Sequence, residues 1–265
     1  MLTAVSNKLS KTLSFQSDWQ PIQLSLDLVR RVHRFLREEN SNKLLVIYAE
    51  PGCGVTTALR KYYQITSSQA LWVSSRLTFP KATLYNRLAR SLGVYNVCAM
   101  QDGLEPYMRR LMKLRRIKVI YIDDADEYML ERSSADSMID MITELCHPST
   151  VKYVISIKFP TTHMKISSLL NSVNSEIYHV GLLGSDDCKP IAREILSRLN
   201  LNNKTSITFG ADFKDWNMLV SSVGELVEWL KLAYAVSWVS EAQVITSDLN
   251  VTGRDLWRLL DEYLD

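Results

Sequence analysis

The chain contains few cysteines and histidines, the residues that form disulfide frameworks and zinc sites. It contains 4 cysteines and 4 histidines in 265 residues, and no two cysteines form a CxxC pair. A disulfide framework and a zinc site are therefore excluded, and reduced thiols are expected. No apolar run approaches the roughly 20 residues of a membrane span, and the start of the chain lacks the apolar segment of a signal peptide. We expect a cytoplasmic protein that does not interact with a membrane.

A strong charge of either sign is also missing. The 31 Lys and Arg residues nearly balance the 29 Asp and Glu residues, which gives a net charge of +2. This balance neither requires nor excludes nucleic acid as a partner. Hydrophobic residues make up 46% and charged residues 23% of the chain, an ordinary globular composition for one large domain or two small ones.

Most of the chain alternates between short apolar runs and amphipathic segments. Such alternation predicts an α/β fold, in which a parallel sheet carries helices on both faces. The five predicted strands are 44–48, 70–74, 117–124, 151–157 and 176–180. The helices predicted before and between them are 24–39, 56–64, 81–92, 104–116, 133–146 and 162–172.

After Gly184 the strand pattern stops, and helices are predicted at 186–200, 211–221 and 224–239, with a last one after 252–255. The predicted domains are therefore an N-terminal arm at 1–22, an α/β domain at 23–184 and an all-helical domain at 185–265. Four tryptophans fall in this last part, where packing is a more typical role than base stacking: Trp216, Trp229, Trp238 and Trp257.

The most informative segment joins the first strand to its helix. It reads LLVIYAEPGCGVTT over residues 44–57, a strand–turn–helix layout typical of a phosphate-binding loop. Backbone N–H groups at such a helix start converge on phosphate, and glycines let the backbone approach the anion. The Thr56 hydroxyl is placed to bind Mg²⁺ beside a triphosphate. The predicted nucleotide-binding residues are Glu50, Pro51, Gly52, Cys53, Gly54, Val55, Thr56 and Thr57.

Two positions of this loop depart from the phosphate-binding motif GxxxxGK[ST]. Val55 occupies the lysine position, and Ala49 occupies the first glycine position. Val55 removes a charge-assisted hydrogen bond worth roughly 1.5–3 kcal/mol, or about one to two decades in affinity. Binding of a nucleotide by the backbone remains open. The alternative is a tight strand–helix turn that binds no ligand.

A second candidate site lies at the end of the strand predicted at 117–124. Its apolar residues end in the adjacent carboxylates Asp123 and Asp124, a layout in which the strand delivers one carboxylate to Mg²⁺ and its water. We predict that Thr56 and Asp123 bind the metal and that Asp124 is the catalytic base. Asp124 is shorter than the usual glutamate, and lost reach to the attacking water could lower the rate ~10²-fold. The alternative is that both carboxylates form an ordinary turn.

Together these motifs resemble those of the AAA+ ATPases. The matching segments are EPGCGVTTAL at 50–59, IYIDDAD at 120–126 and VGELVEWL at 223–230, the last being similar to a helix of the AAA+ lid domain. Within that superfamily the chain most resembles the transposon-encoded regulators, the TniB, TnsC, IstB and MuB-like group. The resemblance implies a five-stranded P-loop domain with an all-α lid, and ATP and Mg²⁺ as cofactors. It also implies rings or filaments of this chain on double-stranded DNA, and recruitment of a transposase.

Several further positions depart from the AAA+ pattern, in the same direction as Val55. Ser156 and Lys158 lie at the end of the fourth predicted strand, where AAA+ proteins usually have a polar sensor residue, often Asn. The segment 169–175 has no arginine to serve as an arginine finger, and Lys231 is the nearest cation to the sensor position of the lid helix. The departures together imply weakened or absent hydrolysis.

Basic residues provide candidate contacts to DNA. In a helix, residues 109, 113 and 116 would share one face, which could follow a phosphate backbone. The alternative is a solvated face with cations near a helix C-terminus, and the arginines of the 24–39 helix pose the same question. The candidate DNA-binding residues are Arg109, Arg110, Lys113 and Arg116, with Lys81 and Arg87 after the second strand.

Three functions are therefore open. The first is a nucleotide-dependent assembly factor on DNA, of the transposon-regulator type. The second is a catalytically inactive AAA+ adaptor that bridges other proteins or accompanies an active homologue. The third is an active P-loop enzyme in which Arg60 or Lys61, about a turn past Val55, replaces the missing lysine. Val55→Lys distinguishes a weakened site, which would gain nucleotide binding or hydrolysis, from a vestigial one.

Overall fold

The computed structural model describes residue 12 and the ranges 23–39, 42–74, 83–95, 106–126, 139–140, 142–143, 151–158, 170–171, 173–210 and 222–246. Several predicted features lie outside these residues: the N-terminal arm apart from residue 12, Lys81, and the helices at 211–221 and after 252–255. Most of the helices predicted at 133–146 and 162–172 also lies outside them. The chain divides into two compact units. The first comprises Leu24–Pro51 and Val55–Gly181, and the second comprises Met1–Gln23, Gly52–Gly54 and Leu182–Asp265.

The described residues between 23 and 179 contain five strands, with helices before the first strand and between the first three, as the sequence predicts. The five strands agree with the predicted ones to within two residues at each end. The strands that begin at Leu44, Val119 and Lys152 are buried along most of their length, and such strands are mainly apolar in sequence. The elements are α1 Gln23–Arg37, β1 Leu44–Ala49, α2 Val55–Thr66, a 3-10 turn Ser67–Gln69, β2 Ala70–Ser74, α3 Leu84–Ser91, α4 Pro106–Leu114, β3 Val119–Asp123, β4 Lys152–Lys158 and β5 Ser175–His179.

The sheet is parallel throughout, with the strand order β2-β3-β4-β1-β5. β4 lies between β1 and β3, and Lys158 is opposite Ala49 at the end of β1. The carboxyl ends of parallel strands meet at one edge, where open α/β sheets bind their ligands. The topology therefore brings Ala49, Asp123 and Lys158 to one edge. A parallel five-stranded sheet flanked by helices is the predicted fold class, and the structure confirms it.

The core of the first unit is built on this sheet. β1 and β3 are buried along their whole length, and β4 is buried up to Lys158. One hydrophobic cluster joins strand residues such as Val46 to helix residues such as Met108 of α4. The amphipathic α1 buries one stripe at the i, i+4, i+7 spacing of a helix face: Leu28, Val32 and Phe35.

The second unit is mainly helical in its described part. It contains α5 Ser185–Asn203 and α6 Val223–Val239, which share a core that includes Ile195, Leu230 and Tyr234. It also contains the short parallel pair β6 Thr208–Phe209 and β7 Val244–Ile245, which the sequence did not predict. Strands of two residues are too short to show an alternating pattern. No helix in the described ranges combines the length and the apolarity needed to cross a membrane.

Candidate nucleotide-binding site

The predicted phosphate-binding loop connects the carboxyl end of β1 to the start of α2. Gly52 and Gly54 have φ angles of +85° and +78°, in the left-handed region that glycine adopts without steric penalty. Val55 is the first residue of α2 and is only 9% exposed, so its side chain belongs to the core. Cys53 is buried, and the exposed residues of the loop are Glu50, Pro51, Gly52 and Thr57.

Gly52 also contacts residues of its own unit that begin α6. The Gly224 N–H donates a hydrogen bond to the Gly52 carbonyl at 2.9 Å. A Cβ at Gly224 would lie 3.1 Å from Gly52 Cα, and a Cβ at Gly52 would lie 2.5 Å from Ser222 Oγ. Ser222 is the N-cap of α6, where its Oγ accepts a hydrogen bond from the Glu225 N–H. Close approach of two backbones therefore explains the glycine of the VGELVEWL segment.

The loop helix and the acidic strand meet at Asp123. Thr56 Oγ1, in the first turn of α2, donates to Asp123 Oδ1 at 3.1 Å. Ser156 Oγ, on the neighbouring strand β4, donates to the same oxygen at 2.7 Å. The structure thus brings together the two residues that the sequence proposes as metal ligands, and it adds Ser156 as the residue that orients the carboxylate.

Asp123 is 1% exposed, and burial raises the pKa of its carboxyl group above the ordinary 3.8. The hydrogen bond from Ser156 opposes this rise, the nearby Asp124 adds to it, and the hydrogen bond from Thr56 opposes it. Asp123 Oδ2 is buried and has no hydrogen-bond partner among the described residues. A buried carboxylate oxygen without a donor fits a cation, because burial of an uncompensated charge is costly.

The donor set fits Mg²⁺ that is held partly by phosphate. Thr56 and Asp123 supply hard oxygen ligands, which Mg²⁺ prefers, and Mg²⁺ commonly takes one or two carboxylates and completes its shell with phosphate and water. Within the described ranges, no group of three or more His, Cys, Asp or Glu side chains could hold a metal by itself. The metal would therefore need the nucleotide at this site.

Asp124, the predicted catalytic base, lies beside a cation. Its φ angle is +52°, its N–H donates to Ser156 Oγ at 2.9 Å, and its carboxylate lies 3.6 Å from the ammonium of Lys158. The same ammonium lies 4.0 Å from Asp126, where burial raises the pKa of the carboxyl group and Lys158 opposes that rise. Lys158 therefore neutralises part of an acidic cluster of three residues, Asp123, Asp124 and Asp126.

Ser156 and Lys158 were the two alternatives for the polar residue at the end of β4, and the structure gives them separate contacts. Ser156 contacts Asp123, and Lys158 contacts Asp124 and Asp126. The sequence holds a signal for this arrangement, because residues two apart on a strand lie on the same face. The partners themselves depend on β4 being next to β3, which the sequence did not fix.

Of the three other cations considered for this site, Arg60 and Lys231 have partners elsewhere. The Arg60 guanidinium lies 5.6 Å from the ring centroid of Trp72 on β2, within the range of a cation–π interaction. Lys61 is exposed. Lys231, the candidate on the lid helix, is 7% exposed and donates to Glu228 at 2.8 Å. The charge of Arg60 also opposes the rise in the pKa of Asp123, so Arg60 acts on the site from a distance. Neither the Arg60 contact with Trp72 nor the exposure of Lys61 joins these residues to the loop.

The basic run that follows residue 108 is less regular than predicted. Arg110 and Lys113 are exposed on α4, and Arg109 is half-buried. The helix ends at Leu114, so the face predicted to extend from 109 to 116 is wrong beyond Lys113. Arg116 has a φ angle of +52°, and its N–H donates to the Lys113 carbonyl, part of a Schellman-type helix end.

Two further sets of candidate DNA contacts carry less support. Arg87 is 6% exposed in α3, so we leave it out of the DNA-binding surface proposed below, and Lys81 lies outside the described residues. On α1, Arg30 pairs with Asp27 at 3.0 Å and Arg31 pairs with a carboxylate of β5 at 2.6 Å. These pairs favour the interpretation of α1 as a solvated and structural face.

Comparison with known proteins places the fold. Neither a protein-family model nor a curated relative matches the chain. Similar solved structures include the Aeropyrum pernix ORC1 protein in complex with DNA, at 16% identity and a TM-score of 0.58, covering 96% of this chain and 69% of that one. Cdc6p of Pyrobaculum aerophilum gives 12% identity and a TM-score of 0.56, covering 89% of this chain and 68% of that one. A Walker-type ATPase of Pyrococcus abyssi is 11% identical with a TM-score of 0.56, and the match covers 95% of this chain and 76% of that one.

At these levels of identity the likeness concerns the fold alone. The parallel five-stranded sheet flanked by helices matches the AAA+ P-loop fold of those neighbours. The chain therefore has the AAA+ fold that its motifs resemble.

Proposed function

We propose that this chain is a DNA-associated assembly factor with the AAA+ fold, which binds ATP with Mg²⁺ and hydrolyses it slowly or not at all. The observation that carries the nucleotide part is the convergence of Thr56 and Ser156 on Asp123, whose second oxygen is buried and has no donor among the described residues. A vestigial turn would have no reason to keep a buried carboxylate facing the first turn of α2.

In this proposal the residues of the loop and the sheet edge have separate roles. Backbone N–H groups at the start of α2 bind the phosphates, aided by the partial positive charge of a helix N-terminus. Thr56 and Asp123 hold Mg²⁺, and Ser156 fixes the orientation of Asp123. The metal would neutralise phosphate charge when bound. Slow hydrolysis follows from the short reach of Asp124 and from the cation beside it.

The proposed partners are double-stranded DNA, further copies of this chain in a ring or filament, and a transposase or other transposon-encoded protein. Support for DNA comes from the exposed cations of α4 and from the likeness to an ORC1 structure determined with DNA. Support for the transposon-regulator group comes from the sequence resemblance. ATP between neighbouring copies would stabilise the assembly on its target.

The test is Val55→Lys, measured beside Val55→Met as a control for side-chain length without charge. Titration calorimetry with ATP and Mg²⁺ measures affinity, and light scattering with and without duplex DNA measures assembly. We expect Val55→Lys to bind ATP about 10- to 100-fold more tightly than the wild type, and Val55→Met to leave affinity within a few-fold. If the wild type binds no ATP, the nucleotide part of the proposal is wrong, even if Val55→Lys binds it.

The second candidate function, an inactive AAA+ adaptor between proteins, is favoured by one observation. The predicted base Asp124 lies 3.6 Å from the Lys158 ammonium, so an ion pair already engages the carboxylate that would have to activate a water. The adaptor would show no turnover, and its assembly on DNA or protein would be the same with and without ATP. Nucleotide-dependent assembly would exclude it.

A further inference from the structure

We propose that Lys158 is the phosphate-binding cation of this chain, supplying from β4 the charge that Val55 removes from the loop, and that Asp124 and Asp126 hold it when no nucleotide is bound. This inference rests on the proposed function, because it requires phosphate at the start of α2. It assigns a binding residue on a strand in place of one on the loop helix.

The register of β4 places Lys158 on the correct face. Ser156 and Lys158 are two residues apart on the strand, so they lie on one face of the sheet and roughly 6.6 Å apart along it. Ser156 donates to the same Asp123 oxygen as Thr56, so this face is the one that meets the first turn of α2. Lys158 is one step nearer the carboxyl edge, opposite Ala49, the last residue before the loop.

The contacts that hold Lys158 are weak enough to exchange. Its ammonium lies 3.6 Å from Asp124 and 4.0 Å from Asp126, whereas charge-assisted hydrogen bonds are roughly 2.7–2.9 Å long. The side chain is 30% exposed, so it can turn without leaving a packed site. A polyphosphate carries more charge than one carboxylate and offers shorter contacts. By contrast, Val55 is 9% exposed, and its side chain has no polar atom.

The arrangement couples the phosphates to the acidic cluster. When Lys158 turns toward phosphate, a cation leaves the vicinity of Asp124 and Asp126, and the negative charge of the cluster is then balanced by Mg²⁺ at Asp123. The Asp124 carboxylate therefore competes with ATP for one ammonium. Neutralising Asp124 should consequently strengthen ATP binding, although the sequence would place Asp124 in the machinery of hydrolysis.

The test compares Lys158→Met, the charge-conserving Lys158→Arg, and the control Lys118→Met, an exposed lysine that precedes β3 at the opposite edge of the sheet. Titration calorimetry is run with ATP, ADP and adenosine in the presence of Mg²⁺, and thermal melts check folding. We expect Lys158→Met to weaken ATP binding about 10- to 100-fold, with a smaller effect for ADP and none for adenosine. Lys158→Arg should retain most of the affinity, and Lys118→Met all of it.

Two further variants test the exchange itself. Asp124→Asn should bind ATP several-fold more tightly than the wild type, and Asp124→Asn with Lys158→Met should lose that gain, a coupling that a double-mutant cycle measures. If Lys158 already supplies the missing charge, Val55→Lys should gain less in the wild type than the 10- to 100-fold expected for a loop without a substitute cation, and should gain more in the Lys158→Met background. Equal gains in both backgrounds, or an Asp124→Asn variant with unchanged or weaker binding, would overturn the inference.

The failures of the two proposals are distinguishable. A wild-type chain that binds no ATP removes the proposed nucleotide function, and this inference falls with it. A wild-type chain that binds ATP, together with a folded Lys158→Met variant of equal affinity, removes the role of Lys158 alone.

Discussion

At the scale of single residues, Asp123 combines two opposed effects. Its carboxylate is almost fully buried, and one of its oxygens has no donor among the described residues. Such a group lowers the stability of the ligand-free fold, since charge is removed from water without full compensation. The same feature creates the affinity for a cation. Binding sites that are strained or destabilised without their ligand are a known cost of function.

Asp123→Asn should therefore stabilise the ligand-free protein at neutral pH. Because burial raises the pKa of Asp123 above 3.8 in the folded state, the folded protein binds this proton more tightly than the unfolded chain does. The free energy of unfolding then falls as the pH rises from about 3.8 through the folded-state pKa. Asparagine at position 123 removes the contribution of Asp123 to the slope of unfolding free energy against pH. Asp126, whose pKa is also raised by burial, still contributes to that slope in the variant. Urea unfolding between pH 4 and pH 7 measures the difference.

The same variant should lose stabilisation by ligand. A ligand at 100 times its dissociation constant stabilises the wild type by about 2.7 kcal/mol, and Asp123→Asn should show little of this with ATP and Mg²⁺. Asp27→Asn is the matched control, because Asp27 forms an exposed pair with Arg30 and should change stability by less than about 0.5 kcal/mol. An Asp123→Asn protein that is less stable than the wild type at every pH would show that the carboxylate is compensated.

At the scale of elements, the strands were more predictable than the contacts between them. β1 is an apolar run of six residues, and β3 is a run of four that ends in Asp123; all of these residues are buried, and such runs are visible in the sequence. The loop after β1 and the carboxylates after β3 could then be assigned to one edge of a parallel sheet. The contact between Lys158 and Asp124 could not, because it depends on strand order and on side-chain length across two strands.

The end of α4 could not be predicted from the sequence, for a different reason. The basic run continues past Leu114 with helical periodicity, yet the chain leaves the helix at Arg116 with a positive φ angle. Glycine or asparagine at that position would have signalled the end, whereas arginine gives no such signal. Burial of Ile117 and Met112 on either side of the turn accompanies the observed end, and burial of this kind is a tertiary effect.

Lys152, at the start of β4, provides hydrogen-bond donors for backbone carbonyls at the end of α1, and this contact can be tested by substitution. Its ammonium donates to the carbonyls of Phe35 and Glu38, lies over the Phe35 ring, and is 8% exposed. Burial, followed by the charge of Lys43, lowers the pKa of this lysine. Lys152→Met keeps the apolar stem and leaves two carbonyls without their donor. We expect a loss of about 1–3 kcal/mol in the free energy of unfolding, measured by urea denaturation.

The neighbouring Lys43→Met serves as the control for this prediction. It removes a cation from the vicinity of Lys152 without removing a donor to α1, so it should leave stability within about 0.5 kcal/mol or raise it slightly. If both lysine variants cost the same, then the charge near β4 matters and the capping hydrogen bonds do not.

At the scale of the whole molecule, the net charge of +2 is too small to attract DNA by itself. Attraction to a polyanion must then come from a local surface where cations cluster. In the part of the chain that the structure describes, α4 offers such a surface through Arg110 and Lys113, both exposed and without an ion pair to a described residue. The alternative, a solvated helix face with no partner, has the same appearance in the structure and requires a binding measurement.

The salt dependence of DNA binding separates these alternatives. If α4 contacts phosphates, Arg110→Gln combined with Lys113→Gln should weaken binding to every duplex sequence similarly and reduce the slope of log K against log salt by about 2. Lys61→Gln, an exposed lysine on α2, is the control and should leave the slope unchanged. Fluorescence anisotropy of a labelled duplex between 50 and 200 mM salt, roughly the range over which such contacts lose most affinity, gives the slope. An unchanged slope in the double variant would identify α4 as a solvated face, and the contact to DNA would then have to be sought on another surface.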